Sequence, residues 1–91
     1  MSGLNLSFSD LSADGSTETI KAPVDGKYAV YISGTFGGGT ANIDVSRDAI
    51  LFISAGSVTV DSRTAIDLLA GESIRVTLTG ATAPALSSGI I

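Results

Sequence analysis

The chain contains no cysteine, no histidine and no tryptophan. Without cysteine there is no disulfide, no thiolate nucleophile and no cysteine–zinc cluster. Without histidine the commonest general base and metal ligand is gone, and with it every Ser–His or Cys–His nucleophile pair. Charge is sparse as well: five Lys and Arg against nine Asp and Glu give a net charge of −4. Phosphate contacts need a basic surface, so nucleic acid is not an expected partner. No apolar run approaches the roughly 18 residues of a membrane span, and no membrane association is expected. Residues 1–20 carry Asp10, Asp14 and Glu18 but no Lys or Arg, which is not the positively charged start of a secretory signal.

What is present is small, polar and uncharged, or apolar. Ser and Thr together account for 22 of the 91 residues, Gly for 11, and 44% of the chain is hydrophobic. Such apolar content with so little charge is the opposite of a disordered composition. A chain of this length is one domain, and its fold buries only about 60–65% of the surface exposed when unfolded. Small domains without disulfides or metals commonly gain stability by oligomerisation, which is the expectation here.

Alternation with period two runs through the chain. Tyr28, Val30 and Ile32 share one face of a strand, with Ala29 and Tyr31 on the other. Ala41, Ile43 and Val45 alternate with Asn42, Asp44 and Ser46; Val58 and Val60 alternate with Ser57, Thr59 and Asp61; Ile74, Val76 and Leu78 alternate with Arg75 and Thr77. Weaker strands are read at 4–8, 17–21, 50–54 and 64–68. Turn signals fall between them at Asp14-Gly15, Pro23 to Gly26, Gly34 to Gly39, Ala55-Gly56, Asp61-Ser62, Ala70-Gly71 and Gly80. This rhythm predicts an all-β fold: a small antiparallel β-sandwich, jelly-roll-like, with seven or eight strands. The expected core is Tyr28, Val30, Ile32, Ile43, Val45, Ile74, Val76 and Leu78. The domain spans 1–91, with an N-terminal arm (1–10) and a C-terminal arm (80–91).

Chemistry finds little to work with. In Gly34-Thr35-Phe36-Gly37-Gly38-Gly39-Thr40, Thr40 stands where a phosphate loop needs Lys, and a strand rather than a helix follows. Gly34, Gly37, Gly38 and Gly39 are therefore read as a structural turn, with positive φ at one or more of the last three. Asp10, Asp14 and Glu18 lack the alternating acids of a calcium loop, because Ser12 and Ser16 interrupt them. Asp44, Asp48, Asp61, Asp67 and Glu72 have no aromatic-lined cleft in which to act as a glycosidase pair. Asp44 and Asp67 are read as polar strand positions and Asp48 as a turn residue before Ile50. No catalytic residue, cofactor or metal is expected, and the chain is not read as an enzyme. The candidate interface residues are Leu4, Leu6 and Phe8 in the first arm, Leu86, Ile90 and Ile91 in the second, Tyr31, and Arg75 as a cross-subunit ion-pair partner. The arms are expected to dock on the sandwich or on a neighbour, where an arm can add a strand to an open sheet edge.

Residues 26–48 read G-K-Y-A-V-Y-I-S-G-T-F-G-G-G-T-A-N-I-D-V-S-R-D. This stretch resembles small structural proteins of tailed bacteriophages, in which a strand enters a G-T-F-G-G-x-T turn, an alternating strand follows, and Ser-x-Asp ends it. Gly71-Glu72-Ser73-Ile74-Arg75-Val76 is similar to that family's Gly-x-x-(apolar)-Arg-(apolar) strand, and Thr79 to Leu86 to its closing Gly-Ala-Thr segment. One departure lies at Asp48-Ala49-Ile50-Leu51-Phe52, where relatives carry Asp-Gly and then Trp. The resemblance covers about residues 26–86. It implies a virion protein made in the host cytoplasm: a capsid decoration or cement protein that binds the major capsid protein on the outer shell and bridges its subunits. It also implies a homo-oligomer, with a trimer expected. A tail, baseplate or head-fibre component is the alternative; a small carbohydrate- or receptor-binding module is the second.

Overall fold

The computed structural model describes residues 6–91, so the expected contact at Leu4 lies outside the described residues. Nine strands follow one another among them: β1 (Leu6–Ser7), β2 (Gly15–Ser16), β3 (Ile20–Lys21), β4 (Gly26–Thr35), β5 (Thr40–Ser46), β6 (Ile53–Val58), β7 (Ser62–Leu68), β8 (Ser73–Thr79) and β9 (Ala85–Ile90). All pairings are antiparallel.

One sheet runs β1-β9-β4-β7. The other runs β8-β5-β6, with both β2 and β3 on the far side of β8. Thr17 spans the gap between β2 and β3. Its N–H donates to the Val76 carbonyl at 2.8 Å and its hydroxyl accepts the Val76 N–H at 3.0 Å, a side chain replacing a missing backbone acceptor. Taking β2 and β3 as one interrupted strand leaves eight, paired first with last and inward: β1 with β9, β2/β3 with β8, β4 with β7, β5 with β6. That nesting is a hairpin folded over on itself, the topology of a jelly roll.

The two sheets bury the alternating positions of β4, β5 and β8, as the pattern requires. Tyr28, Val30, Ile32, Ile43, Ile74, Val76 and Leu78 are all within 1% of complete burial. Val45 is only half-buried, because it lies opposite Ile53 on the edge strand β6. Phe8, Leu11, Phe36, Ile66, Leu68, Leu86 and Ile90, with Ala22 and Ala41, join them in the core.

The C-terminal arm is a correction. Residues 85–90 form β9, which sits between β1 and β4 in the middle of its sheet. Leu86 and Ile90 are buried in the chain's own core rather than offered to a neighbour. Phe8 is likewise buried, and its N–H donates to the Ser88 carbonyl at 2.9 Å. Small polar residues at 87–89 hide the alternation of Leu86 and Ile90.

Two further differences concern β6. Ala55-Gly56 is not a turn: Ile43 faces Gly56 while Asp44 faces Ser54, so Ala55 is the extra residue of a β-bulge inside one strand. The strand expected over 57–61 is the end of β6 plus a turn, with Val60 exposed. The Gly-rich turn behaves as expected. Gly37 (φ +63°) and Gly38 (φ +78°) are left-handed, Gly34 has φ +123°, and a side chain at Gly37 would collide with the Thr82 carbonyl.

Candidate assembly surface

The jelly-roll path sends alternate loops to opposite ends of the sandwich. One end carries the 8–14, 36–39, 59–61 and 80–84 connections, and hydrogen bonds stitch it closed. The Asp14 carboxylate accepts the N–H groups of Gly80 and Ala81 at 3.0 and 2.9 Å. The Thr82 N–H donates to the Gly37 carbonyl at 2.9 Å, and the Gly34 N–H donates to Asp61 at 3.0 Å. Asp14 is thus a loop clasp, as is Glu18, which accepts both the N–H and the hydroxyl of Ser9 at 2.7 and 2.9 Å. Those two donors hold the Glu18 carboxyl below its usual value.

The other end carries the 22–25, 47–52 and 69–72 connections. Nine large hydrophobic side chains are exposed among the described residues, and five of them lie here, on or beside the loops: Val24, Ile50, Leu51, Ile53 and Leu69. Leu6, Tyr31, Val60 and Ile91 are the four elsewhere.

The 47–52 loop carries the two most exposed large hydrophobic side chains among the described residues, Ile50 and Leu51, and its shape comes from Asp48. The Asp48 Oδ1 accepts the N–H groups of Ile50 and Leu51 at 3.0 and 3.1 Å and the Ser46 hydroxyl at 2.9 Å. The Ile50 and Leu51 amides, then Ser46, hold this carboxyl below the usual range. The tip therefore keeps its charge, and its backbone donors are filled. Ile50 and Leu51 point outward at 78% and 73% exposure. Ala49 between them and Asp48 is left-handed at φ +61°, a conformation glycine takes without strain.

Phe52 turns back onto the sheet. The Arg75 guanidinium lies over its ring, and Arg75 Nε approaches Asp44 Oδ2 at 3.5 Å, an ion-pair distance without a hydrogen bond. Asp44 also accepts the Thr77 hydroxyl at 2.8 Å. The expected cross-subunit role of Arg75 is corrected accordingly: its carboxylate partner is within the chain.

Two shallow grooves flank the end. One, about 320 Å³, runs between Val45, Leu51 and Ile53 beside Arg47 and Glu72. The second, about 310 Å³, is framed by Leu68 and Leu69 with Asp25, Lys27 and Asp67 at its margins, Lys27 directly opposite Asp67. Leu69 is shaped by its turn: Glu72 accepts the Leu69 N–H at 2.7 Å, and Asp25 accepts the Ala70 N–H at 2.6 Å.

Of the interface residues expected from sequence, Leu6, Ile91 and Tyr31 are half-exposed. Leu6 and Ile91 lie level with the middle of β4, Leu6 across Ile90 from Val30 and Ile91 bonded to Ala29. Tyr31 is one step along, on the outer face of the β1-β9-β4-β7 sheet beside Ser7, Ser33, Ser87 and Ser88. Sequence reasoning missed Ile50, Leu51, Ile53 and Leu69. The signal was the four-residue apolar run Ile50 to Ile53, read as a strand because apolar residues are assumed to face inward.

No family model matches this chain, and no curated protein does. Among solved structures it is similar to two crystal structures of a pentameric capsid protein isolated from metagenomic phage sequences. Each is 19% identical, with TM-scores of 0.46 and 0.47; the alignments cover 91% of this chain and 63% and 59% of those chains. The chain thus spans about three fifths of the length of those proteins.

Proposed function

We propose that this chain is a structural protein of a phage virion, without enzymatic activity, and specifically a decoration or cement protein. Its apolar end would bury against protein subunits of the shell and hold neighbouring subunits together. The observation that carries the reading is the clustering of five of the nine exposed large hydrophobics at one end of a jelly roll whose other end is stitched shut. Exposed apolar area concentrated in this way marks a protein interface. The resemblance over residues 26–86 supplies the virion context.

Attachment through this end is favoured over strand addition at a sheet edge. On β7 the edge carries Arg63 and Asp67, β6 is kinked by its bulge, and β1, β2 and β3 have two residues each. All three are devices that discourage edge pairing. The protein would act as a homo-oligomer, the trimer expected from the resemblance being one order and the five copies of the similar capsid proteins another for light scattering to distinguish. The deciding experiment is quantitative composition of purified particles. Hundreds of copies per mature head support the cement role; a few copies, found with tails, would replace it with the tail or baseplate reading.

A further inference from the structure

The outer face of the β1-β9-β4-β7 sheet holds a shallow depression of about 190 Å³, lined by Ser7, Tyr31, Ser33, Ser87, Ser88 and Gly89. The pairing register builds it. Tyr31 of β4 and Ser7 of β1 both stand opposite Gly89 of β9, one on each side. Their backbones are therefore about 10 Å apart, two strand spacings, with no side chain between them. Ser33 and Ser87, paired with each other, form the next step along the same face. Val30, Ile32, Leu86 and Ile90 point into the core, so the residues between them point out. The depression thus has a glycine floor, an aromatic ring on one wall and serine hydroxyls around the rest. Tyr31 is 43% exposed, whereas Tyr28 is buried and donates its hydroxyl to the Val24 carbonyl. The hydroxyls of Ser7, Ser33 and Ser87 belong to exposed residues and make no hydrogen bond among the described residues. No charged side chain lines the depression; Arg63 faces Tyr31 from β7, on the far side of β4 from Gly89.

We propose that this depression binds one pyranose ring of a neutral glycan. The apolar C–H face of the sugar packs on the Tyr31 ring, and the sugar hydroxyls bond to those of Ser7, Ser33 and Ser87. Tyrosine offers such a surface with few rotamers to fix. The serine hydroxyls have water as their partner in the free protein, and a sugar hydroxyl replaces it without leaving either group unpaired. A phosphate or carboxylate finds no cation in the lining, and an aliphatic chain would cover the hydroxyls without bonding them. A flat ring with one apolar face and a hydroxylated rim meets both halves of the lining. Tyr31 lies five residues along β4 from Gly26, about 17 Å from the apolar end. The site therefore stays open while that end is docked, and it does not depend on a virion role, since it belongs to the isolated protein.

Titration of the whole chain with the methyl glycosides of glucose, galactose, mannose, N-acetylglucosamine and N-acetylgalactosamine, followed by NMR, tests it. At least one is expected to shift the Tyr31 ring signals and the amides of Ser33, Ser87 and Gly89, while the buried Tyr28 ring stays in place. A single shallow ring contact is expected to saturate at roughly millimolar concentration. Sorbitol, an open-chain polyol without a flat ring, is expected to shift nothing. Tyr31→Ala, at an exposed position, is expected to weaken binding about tenfold or more with an unchanged circular dichroism spectrum, and Tyr31→Phe to hold it within about threefold. Binding is expected to be indifferent to salt, because ligand and lining are uncharged. No shift with any of these glycosides at their highest soluble concentration would overturn the proposal. So would an equal response to sorbitol, or wild-type affinity in Tyr31→Ala. Shifts produced by sialic acid alone and abolished by salt would overturn the neutral assignment in favour of Arg63.

Discussion

The guanidinium of Arg75 lies 3.8 Å from the centroid of the Phe52 ring, tying the most regular strand to the exit of the exposed loop. Asp44 holds the same guanidinium from the neighbouring strand. Replacing Arg75 with Ala removes a stacked cation and leaves Asp44 with only Thr77, so a loss of about 1–2 kcal/mol is expected in chemical denaturation. Arg75→Lys recovers little of it, because an ammonium lacks the planar face. In a double-mutant cycle Arg75→Ala and Phe52→Ala are expected to be non-additive; strict additivity would show that the stack contributes nothing.

Asp48 and Glu18 ionise below their ordinary values of 3.8 and 4.5. A carboxyl whose pKa is depressed by folding contributes stability that is fully present above its unfolded value and lost as the pH falls through its folded one. Stability is therefore expected to be level above about pH 5 and to decline below about pH 4.5. Asn and Gln still accept hydrogen bonds but do not titrate in this range. The Asp48→Asn, Glu18→Gln double variant is expected to flatten that decline in urea melts taken across pH 2.5–6. An unchanged acid limb would assign it to other groups.

Ala49 occupies a left-handed position between Asp48 and the tip, where the phage proteins that this sequence resembles carry Asp-Gly. A Cβ costs roughly 1–2 kcal/mol there, partly offset by the greater freedom of an unfolded glycine. Ala49→Gly is expected to stabilise by about 0.5–1 kcal/mol in thermal or urea unfolding. A destabilised variant would mean that the turn does not hold this conformation.

The strands at 41–45 and 74–78 were legible because each places apolar residues on one face and hydrophilic ones on the other, and 28–32 because Tyr28, Val30 and Ile32 share a face between two turn signals. The clasping roles of Asp14 and Asp61 were not, since both depend on backbone N–H groups dozens of residues away. Asp48 was legible as a turn residue because the N–H groups that donate to its carboxylate lie two and three residues along. The apolar end was illegible for a different reason. Ile53 has the periodicity of a core residue and faces the same side as Val45, but it stands on an edge strand where nothing opposite covers it. Whether an alternating residue is buried depends on the facing sheet, which period alone does not specify.

That β9 is central rather than an arm gives a sharp expectation. Removing Ser87–Ile91 deletes the partner of both β1 and β4 and the buried Ile90 side chain. Leaving β1 without a partner, one edge of β4 bare and a core position empty costs more than a small domain's total stability of about 5 kcal/mol. The truncated chain is expected to lose its β-sheet circular dichroism signal and its cooperative melt. A cooperative melt in the truncated chain would return residues 87–91 to the status of a detachable arm.

The central claim is that the exposed apolar end is the surface by which this protein joins a particle. Its most direct test is the occupancy of purified particles by a variant with Ile50, Leu51 and Ile53 all changed to Ser, alongside wild type. All three side chains are at least 70% exposed, so the variant is expected to fold and melt like wild type. The account predicts that its copy number per particle falls several-fold or to zero, whereas substitution of Tyr31 on the outer sheet face leaves occupancy unchanged. Wild-type occupancy by the triple-Ser variant would contradict the account.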